Sequence, residues 1–201
     1  SLLFYNEALD IFNTTGDTLE KIDVMNNVAN IFRMTAQYDT AMVIYTDLLK
    51  YHEKNGNLQK QGKLLGNIGS LYYTAGNQEK AKEYTIKSLE IAKKTGDNRS
   101  AAVALVNLTV YALNSNEFNE GIKFGEEAIA LLLDIDKNYY AAALIRVGFC
   151  YYNTGNKIKA LNYTERAIDI YKGNNNIRGL MEAYRSQADY LMDMERYKEA
   201  R

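Results

Sequence analysis

Between Lys63 and Tyr73 the apolar positions fall at Leu64, Leu65, Ile68, Leu71 and Tyr72. That three-and-four spacing winds onto one side of an amphipathic helix. Ala75-Gly76-Asn77 breaks the pattern with a tight turn. From Gln78 to Lys94 the helical phase resumes, with Ala81, Tyr84, Ser88, Leu89 and Ile91 on the inner side. Thr95-Gly96-Asp97-Asn98 closes the unit: glycine accepts the left-handed turn that stops a helix, and Asp or Asn caps the next one. The unit is therefore a hairpin of two helices.

The same pattern recurs along the chain. A small residue in each first helix stands at Ala29, Gly69, Thr109, Gly148 and Ala188, in steps of 40, 40, 39 and 40. A second small position, in or leading into each second helix, gives Ala41, Ala81, Gly121, Ala160 and Ala200 with the same steps. The unit ends repeat as Gly16-Asp17, Gly56-Asn57, Gly96-Asp97, Asp136-Lys137 and Asn175-Asn176. A fixed period of this size marks a solenoid, in which each unit buries its apolar stripe only against its neighbours. The pattern predicts helices over 2–15, 18–35, 38–55, 58–75, 78–95, 98–115, 118–134, 138–154, 157–173 and 177–194, with a further stub from 197. The expected fold is all-α, an α-solenoid of stacked antiparallel helical hairpins forming one array over 1–201. It comprises the second helix of a preceding unit (1–17), units 18–57, 58–97, 98–136 and 137–176, and a partial unit 177–201. Because the chain starts at Ser1 inside a helical pattern and stops inside another, it reads as a fragment of a larger protein whose ends expose apolar surface and self-associate.

The small positions have a packing role. Two helices approach closely only where one presents Gly, Ala or Ser to the other. Glycine in a helix costs about 1 kcal/mol against alanine, and Gly69 and Gly148 incur it at the same phase, facing Ala81 and Ala160. In these first helices Leu65-x2-Ile68-Gly69-x2-Tyr72 and Leu144-x2-Val147-Gly148-x2-Tyr151 follow the tetratricopeptide pattern W-x2-L-G-x2-Y, and Met25-x2-Val28-Ala29-x2-Phe32 comes close. Ala41-x3-Tyr45 fits the downstream A-x3-F, whereas Ala81 and Ala160 are followed by Thr85 and Thr164. The chain resembles a tetratricopeptide-repeat (TPR) array across essentially its whole length. The unit is about six residues longer than the usual 34, and the closing proline is missing. Such long units are similar to those of kinesin light chains, cell-polarity adaptors and bacterial TPR-containing regulators and sensor kinases. The resemblance implies a right-handed superhelix whose first helices line a concave groove that binds peptides.

Composition narrows the classes. Proline is absent, as uninterrupted helix requires. A net charge of −1 offers no basic stripe for nucleic acid. No apolar run reaches the roughly 18 residues of a membrane span. A single cysteine, Cys150, excludes an internal disulfide. A cytoplasmic home is the default expectation, with a periplasmic sensor segment as the alternative.

The candidate chemistry lies on the first helices. Two residues before the small position stand Asn27, Asn67, Asn107, Arg146 and Ser186. An asparagine offers both donors and an acceptor, so a ladder of them can hold an extended peptide backbone, and Arg146 can meet a carboxylate. The competing reading is that each Asn bonds the neighbouring hairpin and sets repeat geometry. Adjacent phases add Asn30, Val110, Phe149 and Asp189, then Arg33, Tyr73, Leu113, Tyr152 and Met192, then Asn26, Gly66, Val106, Ile145 and Arg185. Lengthwise these run from polar, through an apolar middle of Val106, Val110, Leu113, Ile145, Phe149 and Tyr152, to a charged last unit with Glu182, Arg185, Asp189 and Asp193. Gly66 is expected to leave room for a bulky ligand side chain beside Tyr73. Catalytic groups are poor: His52 is the only histidine and reads as a surface residue, and Cys150 reads as a buried inert thiol. Asp134-Ile135-Asp136 reads as turn and cap, and four Asn-x-Ser/Thr matches, at Asn13, Asn98, Asn107 and Asn162, read as chance. No cofactor, metal site or enzymatic activity is expected. The leading expectation is a protein- or peptide-binding scaffold, the sensory or partner-recruiting part of a larger regulator. A regulatory domain of the signalling-phosphatase or anti-activator type and a plain structural spacer stay open beside it.

Overall fold

The computed structural model describes residues 18–133 and 135–199; the expected helix over 2–15 lies outside the described residues. The chain divides into two compact units after Asp97. The first holds α1 (Thr18–Met34), α2 (Tyr38–Lys54), α3 (Leu58–Thr74) and α4 (Gln78–Thr95). The second holds α5 (Asn98–Asn114), α6 (Phe118–Leu132), α7 (Lys137–Asn153), α8 (Lys157–Gly173) and α9 (Ile177–Glu199). Within each unit consecutive helices pack as antiparallel hairpins, and first helices of successive hairpins also touch, α1 with α3, and α5 with α7 with α9.

The local sequence explains where the helices stop. Between first and second helices a single residue takes the left-handed conformation: Ala36, Gly76, Asn116 and Gly155. The backbone N–H groups beyond each of these turns bond back to the last turn of the helix, as Asn77 N does to Tyr72 O at 2.8 Å. Asn57, Asn77 and Asn156 then cap α3, α4 and α8, each accepting from the N–H three residues on. The turn before α7 works differently, with an extended Asp136 accepting from both Asn138 N and Tyr139 N. The expected stop after residue 194 is not made. The position equivalent to Gly76 and Gly155 is Glu195, which has a strong helix preference and no ease in the left-handed region. The helix therefore runs on to Glu199 in place of a turn and a separate stub.

The cores follow the small-residue phases. Ala29, Ala41, Ala81 and Ala160 are fully buried, as are Thr109 and Cys150. In the first unit Ile22, Val28, Phe32, Tyr45, Leu48, Leu64, Ile68 and Leu71 pack around them. Glycine is required at Gly69, where a Cβ would overlap Thr85 Oγ1 and lie 3.1 Å from Ala81 O. Gly148 is less constrained, its nearest neighbour being Ala160 O at 3.2 Å.

Candidate functional site

In the first unit the candidate residues Asn27, Asn30, Arg33, Asn67 and Tyr73 lie on α1 and α3. Asn27 is exposed and the other four are half-buried. Asn67 Nδ2 donates to Asn26 Oδ1 at 3.0 Å, so one rung of the asparagine ladder ties α3 to α1. Asn30 Nδ2 donates to its own helix at Asn26 O, and its Oδ1 accepts from the Tyr45 hydroxyl at 2.8 Å. Tyr45 stands where other second helices carry Thr85 and Thr164. Its larger ring fills the hairpin completely and carries the hydroxyl through to α1. Burial pushes the phenol above its ordinary value, opposed by the Arg33 guanidinium beside it. Arg33 Nε is itself buried without a hydrogen-bond partner. Tyr45 was missed as a site residue, although the aromatic in Ala41-x3-Tyr45 was the available signal.

In the second unit Asn107, Val110 and Leu113 on α5 and Arg146 and Tyr152 on α7 are half-buried, while Phe149 on α7 and Arg185 and Asp189 on α9 are exposed. Phe149 keeps 45% of its surface exposed and meets Phe118 edge-on at 6.3 Å between ring centroids. Tyr152 is committed to the fold: it stacks on Tyr190 at 4.5 Å and donates to Asp193 Oδ2 at 3.0 Å. Asp193 also pairs with Lys157 at 2.5 Å. Tyr190, buried under this stack, has its phenol pushed to about 12, chiefly by burial. The Tyr171 phenol is raised by burial and by the Glu182 carboxylate, with the Arg146 charge acting the other way.

Three expectations need correction. Val106 and Ile145 are buried, at 7% and 6% exposure, so the apolar middle of the surface contracts to Val110, Leu113 and Phe149. Gly66 faces α4, not open space, and a Cβ there would lie 3.0 Å from Ser88 Oγ. The reason is angular: three residues before the small position is only about 60° around the helix from the hairpin contact, still under the partner helix. The third is His52, which is buried at 5% exposure. Tyr51 meets it edge-on at 5.3 Å, and Gln61 of α3 bonds its carbonyl. Its pKa is lowered by burial and by Lys60, with Asp23 acting the other way.

These surfaces offer amides, the guanidinium groups of Arg33 in the first unit and of Arg146 and Arg185 in the second, and a small apolar patch. The nucleophiles are elsewhere: Cys150 is fully buried, and burial raises its thiol to about 11. Among the described residues no group of His, Cys, Asp and Glu is placed to hold a metal ion, and no helix is long and apolar enough to cross a membrane.

Residues 62–95 and 141–174 each match the tetratricopeptide-repeat family. The chain is 22% identical over 163 residues to the regulatory protein RapG of Bacillus subtilis (strain 168), a match that covers 80% of the chain. It spans only 43% of RapG. The fold is shared with aspartyl phosphate phosphatase F from Bacillus subtilis, with a TM-score of 0.86 and 14% identity, over 98% of this chain and 53% of that one. It is shared also with a signal-transduction ATPase bearing a tetratricopeptide-repeat sensor from Pyrococcus horikoshii, with a TM-score of 0.79 and 18% identity, over 98% of this chain and 29% of that one. With the repeat spacing, the hairpins and the small-residue contacts, these matches make the chain a tetratricopeptide-repeat array of helical hairpins.

Proposed function

We propose that the chain is the protein-interaction module of a regulatory protein of the RapG kind, acting on a signalling partner. Two findings support the reading. The sequence relative is a regulatory protein and a solved structure of the same fold is an aspartyl phosphate phosphatase. These relatives favour the expectation of a regulatory domain of the signalling-phosphatase or anti-activator type over a plain peptide scaffold. The observation that carries recognition by the second unit is Phe149, held 45% exposed on α7, which also carries Arg146, between Val110 and Leu113 on α5 and Arg185 and Asp189 on α9. Apolar side chains standing open between charged ones mark an interaction surface. The occupant is an extended segment of a partner, with a bulky apolar side chain on Phe149 and an acidic group at Arg146.

The test is selection of a phage-displayed library of random dodecapeptides on the chain. The expected result is enrichment of peptides pairing an acidic with a bulky apolar residue, with binding lost in Arg146→Glu and in Phe149→Asp. No enrichment, or enrichment indifferent to both substitutions, overturns the reading and leaves a structural spacer. In the first unit, Asn67→Ala separates the two ladder readings. Loss of peptide binding at unchanged stability assigns the amide to ligand. Loss of stability alone assigns it to the bond with Asn26.

A further inference from the structure

We propose that the first unit carries a recognition site for an acidic side chain of a partner protein, formed by the hydroxyls of Tyr72 and Tyr84 and the ammonium of Lys80. The second unit contains the same constellation already filled. There Glu126 of α6 accepts at Oε1 from the Tyr151 hydroxyl at 2.5 Å and from the Tyr163 hydroxyl at 3.1 Å. Lys159 Nζ donates to the Tyr151 hydroxyl at 3.3 Å and lies 4.6 Å from the centre of its ring. O–H groups that donate to an ionised acceptor make short, strong bonds. The lysine polarises the phenol it donates to and favours a charged carboxylate beyond it.

The first unit repeats every part of this except the carboxylate. Tyr72 and Tyr151 each follow the small first-helix residue by three positions, and Tyr84 and Tyr163 follow the small second-helix residue by three. Lys80 and Lys159 each directly precede that second residue. The Tyr72 and Tyr84 rings stack at 5.3 Å, against 5.5 Å for Tyr151 and Tyr163, and Lys80 lies over Tyr72 at 5.2 Å. Both rings are half-buried. The position of Glu126, five residues after Gly121, is held by Thr46, five after Ala41. Its side chain is shorter, and its hydroxyl donates back to Met42 O at 2.8 Å. The carboxylates beside the site have other partners: Asp47 pairs with Lys50 at 3.9 Å, and Glu83 with Lys87 at 2.6 Å. Among the described residues no carboxylate bonds the hydroxyl of Tyr72 or Tyr84. What the first unit lacks is the acceptor, and an aspartate or glutamate of a partner supplies it from outside. The site is separate from the surface around Phe149 and stands whether or not that surface binds a peptide.

A fluorescein-labelled hexaglutamate peptide, titrated with the whole chain at low salt and followed by anisotropy, tests this. Saturable binding is expected, absent for hexaglutamine. It should weaken about tenfold or more when Tyr72→Phe and Tyr84→Phe are combined, a change that alters no charge. Thr46→Glu should weaken it as much, because it supplies the carboxylate from α2 as Glu126 does from α6. Lys80→Gln should weaken it too, and Lys54→Gln, at the exposed end of α2, should leave it unchanged. Circular dichroism identical to the parent shows that the variants fold. Independently of any peptide, Thr46→Glu should raise the urea midpoint above that of Thr46→Gln, a gain that disappears in the double Phe background. No binding at millimolar concentration, binding indifferent to the phenol hydroxyls, or equal losses in Lys54→Gln and Lys80→Gln overturns the proposal. So does displacement by free glutamate at the concentration at which unlabelled hexaglutamate displaces, because the occupant is then a small carboxylate.

Discussion

Gly69→Ala puts the small-residue contact to a quantitative test. On an exposed helix this exchange stabilises by about 1 kcal/mol, from helix propensity alone. Here the new methyl enters the space of Thr85 Oγ1, with Ala81 O at 3.1 Å and Thr85 N at 3.2 Å behind it. Backbone cannot yield there, and threonine is stiff at its first side-chain torsion. Overpacking of this kind costs about 1–3 kcal/mol, so the net effect is a loss of up to about 2 kcal/mol. Thr85→Ala removes the obstructing hydroxyl, which is buried without a hydrogen-bond partner. In that background the helix preference and the remaining backbone contacts roughly offset and Gly69→Ala should be close to neutral, leaving a coupling of up to about 2 kcal/mol in the double-mutant cycle. Urea unfolding followed by circular dichroism on the four proteins measures it. If Gly69→Ala stabilises the parent, or the coupling falls below about 0.3 kcal/mol, the steric account of the repeated small position is wrong.

Other outcomes follow from the same contacts. Tyr45→Phe removes the bond to Asn30 Oδ1 and should cost about 1 kcal/mol in urea unfolding, a larger loss than for Tyr51→Phe at a half-buried position. His52 has a lowered pKa in the folded chain, so the unfolded state binds its proton first. Stability is then complete above the ordinary value of 6.5 and falls as pH drops below it. Urea midpoints between pH 7.5 and 5.5 should show this slope in the parent and a shallower one in His52→Gln. Cys150, with its thiol raised to about 11, should resist a thiol reagent at pH 8 until urea unfolds the second unit. Fast labelling of the native chain would contradict its burial.

The sequence was most legible where a single helix decides the outcome. The 40-residue period and the turn residues at Gly76, Asn116 and Gly155 set the helix ends almost everywhere. The exception came at Glu195, where the period demanded a turn and the local residue preferred a helix. Phase also placed Cys150, Ala29, Ala41, Ala81 and Ala160 inward correctly, whereas Ala188 is exposed. It failed where the width of a partner matters. Val106, Ile145 and Gly66 occupy an angle that a thin neighbour would leave open and that the second helix in fact covers. His52 was misjudged for a related reason, since a lone polar residue near a helix end carries no mark of the Gln61 side chain and the α3 turn that close over it. The chemistry of the asparagines was legible in kind only. Their periodicity shows a shared face, and only coordinates show that Asn67 is already bonded to Asn26 while Asn27 stands open.

Tyr45 has a consequence for how the first hairpin responds to anything that touches it. Its ring plugs the interior, yet its hydroxyl ends on Asn30 and beside Arg33 at the outer wall. A visitor that recruits either group withdraws a counterpart from a phenol that has no water to fall back on. A ligand that recruits Asn30 would thereby bear on the interior of the hairpin through a single hydroxyl.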